Sequence, residues 1–96
     1  MKNNISCYSK NELFYKMGSE IKRLRIKKGL TGAELGKLIN LSQQQISRYE
    51  RGLNCINMAK LLDILHALDT SPLQYMMTVF KETPPTFFYY NIHTKK

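Results

Sequence analysis

Apolar side chains recur along this chain at helical spacing in five short blocks, separated by polar or glycine breaks. In the first block Leu13, Phe14, Met17, Ile21 and Leu24 share a face and predict a helix to about Lys28, where Gly29 stops it. Ser9-Lys10-Asn11-Glu12 supplies a capping box for its start. Gly18 either bends this helix or marks where its regular part begins. Thr31-Gly32-Ala33-Glu34 is a second capping box. It opens a short amphipathic helix with Leu35 and Ile39 on its apolar face and Leu38 on the flank. Asn40 then sits where a left-handed turn residue is needed, and Leu41 plugs the turn. A fourth helix, capped by Asn57, places Met58, Leu61, Leu62, Leu65 and Leu68 on one face. Ser71-Pro72-Leu73-Gln74 starts a fifth, with Ser at the N-cap and Pro at the first helical position. That helix runs to about Phe80 or Glu82, and Pro84-Pro85 forbids its continuation. Residues Thr86 to His93 have strand-like composition.

The third block differs from the rest. Ser42 to Gly52 reads as a helix with its own signals: Ser42 at the N-cap, Gln45 closing a capping box, and Gly52 as the glycine just past the end. Between the caps it carries Gln43, Gln44, Gln45, Ser47 and Arg48, with few apolar side chains. Gln can pair bidentately with adenine and Arg with guanine in the major groove. A solvated surface helix has the same composition, so the helix alone does not decide. The second and third helices, joined through Asn40-Leu41-Ser42, form a helix-turn-helix pair. Gly36 either lets those two helices approach closely or is a stray glycine costing about 1 kcal/mol of helix propensity. The fold class expected is all-α, five helices, with an extended C-terminal tail. Residues 1–8 are an N-terminal extension, 9–83 the helix-turn-helix domain, and 84–96 a tail that is a candidate dimerisation arm.

Charge favours a nucleic-acid partner. The 96 residues carry a formal net charge of +8. Residues 16 to 54 hold nine Lys or Arg against Glu20, Glu34 and Glu50, so the window around the third helix is +6. A basic excess there is the footprint a phosphate backbone requires, although basic charge also serves solubility. Hydrophobic content of 43% is enough for a modest core and excludes a disordered basic tail. No apolar stretch approaches the roughly 18 residues that span a bilayer, and no signal-peptide core is present at the N-terminus. Cys7 and Cys55 lack metal-ligand or CxxC spacing and read as free thiols in a reducing compartment. His66 and His93 make no metal site. No cofactor and no small-molecule ligand is expected. No Ser/His/Asp, Cys/His or paired-carboxylate constellation stands out, so an enzyme is disfavoured.

Residues 18 to 75 resemble the lambda-repressor-like, Cro/C1-type (XRE) helix-turn-helix family. The resemblance rests on Gly18, Ile21, Leu24-Arg25, Gly29-Leu30-Thr31, Glu34-Leu35-Gly36, Leu41-Ser42, Ile46-Ser47, Glu50, Gly52, Leu61, Leu65 and Leu68. The narrower run Ser42 to Glu50 resembles the signature of MrpJ-type regulators, which are encoded with fimbrial operons and tie adhesion to motility. The wider resemblance implies that Gln43, Gln44 and Arg48 read base edges. It implies that Thr31, Gly32, Ser42, Gln45, Ser47, Arg51 and Asn54 lie at or near the DNA backbone. It implies an ion pair between Arg25 and Glu50, against the alternative of two unlinked surface charges. Gly32 departs from the pattern, because many relatives carry a phosphate-contacting Gln there; only its backbone N–H is left for that task. Tyr49 could touch DNA or pack in the core.

The function expected is a sequence-specific, DNA-binding transcriptional regulator, a repressor linking fimbrial expression to motility. It would be cytoplasmic, homodimeric and bound to a double-stranded DNA operator. A protein-interaction module on the same fold, antitoxin-like, is the alternative. Phe87, Phe88, Tyr89, Tyr90 and Ile92 lie outside the matched fold. Five large side chains on a free tail are an aggregation hazard, and a second subunit would bury them.

Overall fold

A computed structural model describes residues 10–81. Over that range the chain is all-α: α1 (Lys10–Lys27), α2 (Gly32–Ile39), α3 (Gln43–Glu50), α4 (Met58–Ala67) and α5 (Pro72–Phe80). Cys7, the proposed cap at Ser9, His93 and the tail residues Phe87, Phe88, Tyr89, Tyr90 and Ile92 lie outside the described residues.

Local chemistry sets the boundaries. Thr31 Oγ1 accepts a hydrogen bond from the Glu34 backbone N–H at 3.0 Å, and the Glu34 carboxylate accepts from the Thr31 N–H at 2.8 Å. Ser42 and Gln45 repeat the reciprocal arrangement at 3.1 and 3.0 Å. Asn57 and Ser71 cap α4 and α5 in the same way, without the return bond. Each cap satisfies an N–H that the first turn leaves without a helical partner. Asn40 ends α2 in the left-handed region at φ 61°, as its short amide side chain permits.

Every helix contributes to one core: Ile21, Leu35, Ile46, Leu61, Ile64, Leu65, Leu68, Tyr75 and Val79. Met17, Leu24, Ile39, Leu41 and Tyr49 pack around it, so Tyr49 serves the core. On α4 the buried set differs from the expected one. Met58 is 61% exposed and Leu62 43% exposed, while Ile64 is fully buried. Leu61, Ile64, Leu65 and Leu68 follow the i, i+3, i+4, i+7 stripe, and Leu62 stands about 100° away from Leu61 around the helix. Tyr75 is the largest fully buried side chain. Its hydroxyl donates to the Met17 carbonyl at 2.8 Å and ties α5 to α1.

Three glycines mark close backbone approaches, with Gly52 lying against the Tyr15 backbone. A Cβ on Gly36 would overlap the Leu41 carbonyl, so the absent side chain is what lets the α2–α3 turn close. A Cβ on Gly18 would overlap the carbonyl oxygens of Tyr49 and Glu50. Gly18 therefore does not begin the regular part of α1, which is continuous there; it is the point where α1 crosses the end of α3 backbone to backbone.

Burial, with a lesser contribution from the Glu20 carboxylate, raises the Tyr75 phenol well above the ordinary tyrosine range. The folded state thus holds this proton more tightly than the unfolded chain. That contribution is fully present below about pH 10, the unfolded tyrosine value, and is lost as pH rises beyond it. We expect Tyr75→Phe to cost about 1 kcal/mol near neutral pH, the net worth of one hydrogen bond. The melting-temperature gap between wild type and variant should narrow above about pH 10. A gap that stays constant on alkaline titration contradicts this assignment.

Candidate nucleic-acid interface

α3 turns only two side chains fully inward, Ile46 and Glu50. With those two fixed, the helical period aims Gln43, Gln44, Ser47, Arg48 and Arg51 at solvent, where they line one open face. All five present hydrogen-bonding groups, and two are cationic. The proposed base readers Gln43, Gln44 and Arg48 are therefore brought together on that face, with Ser47 and Arg51 beside them.

The other proposed contacts are placed less uniformly. Ser42 and Gln45 are engaged with each other in the capping box, which occupies the Gln45 carbonyl oxygen and leaves its NH2 available. Thr31 is likewise engaged with Glu34. Gly32 begins α2 directly beside α3: a Cβ there would sit 3.7 Å from Gln43 Cγ and 3.8 Å from Ile46 Cγ2. Asn54 faces back toward α3, where its Oδ1 accepts from Arg48 Nε and Nη2 at 3.3 and 3.2 Å.

A second groove joins the first. Tyr15, Ser19 and Lys22 of α1 line it together with Gly32, Gln43, Ser47 and Arg51. Sequence reasoning missed these three α1 residues. Their signal was legible: they recur at i, i+4 and i+7 on the face of α1 away from the apolar stripe. Lys22 and Arg51 make the groove basic.

Arg25 and Glu50 hold this surface in place. Arg25 Nε donates to Glu50 Oε2 at 2.7 Å and Nη2 donates to Oε1 at 3.0 Å, a bidentate pair. Nη1 donates to the Leu30 carbonyl at 2.8 Å. The side chains are 13% and 6% exposed, which excludes two unlinked surface charges. The hydrogen bond to Glu50 raises the guanidinium pKa further, against the opposing effect of desolvation. One guanidinium thus fastens α1 to the end of α3 and to the turn before α2. Among the described residues no helix is long and apolar enough to cross a membrane, and no group of three or more His, Cys, Asp or Glu could hold a metal ion.

Comparison with known proteins agrees with this geometry. Residues 21–75 match the family model described as helix-turn-helix. Uncharacterised HTH-type transcriptional regulators of Rickettsia conorii and Rickettsia prowazekii are each 36% identical over 64 residues, covering 62% of this chain. The match covers 51% and 49% of those proteins, so the chain spans about half the length of the curated relatives it matches. Among solved structures, the restriction-modification controller protein C.Esp1396I is 30% identical with a TM-score of 0.67, over 73% of this chain and 92% of that one. That protein was solved as a tetramer in complex with its natural 35 base-pair operator. The clp gene regulator ClgR of C. glutamicum superposes with a TM-score of 0.70 at 25% identity, over 74% of this chain and 91% of that one.

Glu50→Ala leaves the Arg25 guanidinium largely buried and without its carboxylate. We expect a loss of about 3–5 kcal/mol, the cost of breaking a buried pair from one side. Glu50→Gln keeps an acceptor and should lose less. Thermal unfolding of both variants checks this; an unchanged melting temperature for Glu50→Ala would show that the pair does not hold the helix.

Proposed function

The chain belongs to the helix-turn-helix family, and from that premise we propose that it is a sequence-specific, DNA-binding transcriptional regulator with no catalytic step. One observation carries the reading: α3 presents Gln43, Gln44, Ser47, Arg48 and Arg51 on a single face while Ile46 and Glu50 anchor its back. Laid in a major groove, such a face can offer amides to adenine and a guanidinium to guanine. Gln43, Gln44 and Arg48 are the proposed base readers. Phosphates on either side would meet Ser47 and Arg51, the capped N-terminus at Ser42 and Gln45, and the start of α2 at Thr31 and Gly32. The Gly32 N–H lies in the first turn of α2, where no helical partner exists for it. Tyr15, Ser19 and Lys22 extend this backbone-facing set along α1.

Two reading helices need two copies, with half-sites about 10 bp apart or a multiple of that. We assign the contact between copies to the tail residues Phe87, Phe88, Tyr89, Tyr90 and Ile92. On α5, Leu73 and Met77 are 70% and 60% exposed and offer a second apolar surface for the same purpose. We read the regulator as a repressor that acts by occupying its operator. The likeness of Ser42 to Glu50 to MrpJ-type regulators supports a role in linking fimbrial expression to motility, in the cytoplasm.

The test is duplex binding at several salt concentrations. A dimer neutralising about 6–10 phosphates should lose about 10³–10⁵ in affinity between about 50 and 200 mM salt. Arg48→Ala should lose about 1–3 kcal/mol and relax discrimination at one base pair per half-site. Lys37→Ala should not alter discrimination anywhere. A flat salt dependence, with no sequence preference, would favour an antitoxin-like protein-interaction module instead.

Truncation after Thr83 tests the assembly. The shortened chain should be monomeric by mass in solution and bind the operator more weakly. A truncated protein that remains a tight dimer moves the contact to α5.

A further inference from the structure

α3 ends, like α1 and α4, on a pair of backbone hydrogen bonds around a left-handed residue. The Leu53 N–H donates to the Arg48 carbonyl at 2.9 Å, and the Gly52 N–H donates to the Tyr49 carbonyl at 3.0 Å. Gly52 is left-handed at φ 74°. Together these are the paired bonds of a Schellman cap, with Arg48 as the residue whose carbonyl closes it. The motif fixes the chain direction after Gly52, and the residue it delivers next to α3 is Asn54. There the Asn54 amide oxygen receives both Nε–H and an Nη2–H of Arg48, at 3.3 and 3.2 Å. One oxygen thus fills the side-on edge of the guanidinium.

We infer that Asn54 is a specificity-determining residue that acts through Arg48, holding the guanidinium so that its end-on edge is presented to a base. This rests on the reading of α3 as the base-reading helix. Three features carry it. The donors that Asn54 occupies are those of one edge only, so both Nη1 hydrogens and the second Nη2 hydrogen remain free. Those remaining donors form the planar fork that matches guanine O6 and N7. The acceptor is a neutral amide, so the charge on Arg48 is not neutralised, as it would be by a carboxylate. A long side chain otherwise free to rotate gives up much of its rotamer freedom when it binds; an Arg already held loses less. Asn54 therefore belongs with the base readers in effect, although it touches no base, and not with the phosphate contacts.

The discriminating experiment is a double-mutant cycle. A duplex is selected from a random library by the wild-type protein, and single-base variants of it are prepared. Asn54→Ala should weaken binding to the selected duplex by roughly three- to tenfold, the cost of ordering one long side chain. It should leave the variant at the Arg48-read base pair nearly unaffected. In the Arg48→Ala background Asn54→Ala should have no further effect. Asn54→Asp retains the acceptor but adds a negative charge, so it should keep the discrimination while binding all duplexes more weakly. The Arg48 Nε–H resonance in the free protein gives a readout independent of DNA: it should be protected from exchange in wild type and in Asn54→Asp, and exposed in Asn54→Ala. Equal losses on every duplex, additive with Arg48→Ala, would make Asn54 a separate phosphate contact and overturn the inference. An Nε–H unchanged by Asn54→Ala overturns it as well. If the resonance behaves as expected but the wild type selects no duplex, the failure lies in the DNA-binding reading.

Discussion

An eight-residue helix that buries two side chains cannot hold itself in water. α3 is such a helix, and one of its two buried side chains is a carboxylate. The domain resolves this by matching Glu50 with a guanidinium already aligned by the Leu30 carbonyl. The pair is desolvated enough that breaking it would cost more than forming it gains. Its value is therefore positional. It fixes the axial rotation of α3, and that rotation decides which side chains face outward. Had the helix turned by one residue, about 100°, Ile46 would face solvent and the outward set would change.

Much of this was legible in the sequence. The caps at Thr31 and Ser42, the left-handed Asn40 and the outward run Gln43, Gln44, Ser47, Arg48 follow from local rules that act over three or four residues. The Arg25–Glu50 pair came from family resemblance, since nothing local joins residues 25 apart in sequence. What escaped was set by tertiary geometry. Gly18 gives the same local signal whether it bends a helix or admits another backbone, and only the crossing of α1 over α3 reveals the second. Met58 and Leu62 were expected in the core because α4 is apolar on more than one side, so its pattern does not fix its rotation. Tyr15, Ser19 and Lys22 were overlooked because they belong to a helix whose apolar stripe dominated its reading.

Asn54 shows the limits of position-by-position transfer. Resemblance placed it at the DNA backbone. The Schellman cap turns its amide oxygen onto Arg48, a relation between two residues that a list of single roles cannot express. The same cap requires a residue at position 52 that accepts a left-handed backbone. The glycine that ends α3 therefore also governs where the Arg48 guanidinium is held.

The contact at Gly18 has a consequence for how such a protein can diverge. Because α1 meets the end of α3 through main-chain atoms, the spacing between scaffold and reading helix is written in backbone, which substitutions on α3 do not alter. Gln43, Gln44 and Arg48 are exposed and lie outside the buried core. If Gln43, Gln44 and Arg48 read bases as proposed, exchanges at these exposed positions would shift target preference while folding stability stays almost level. Selection for a new operator and selection for a stable domain act on separate sets of residues.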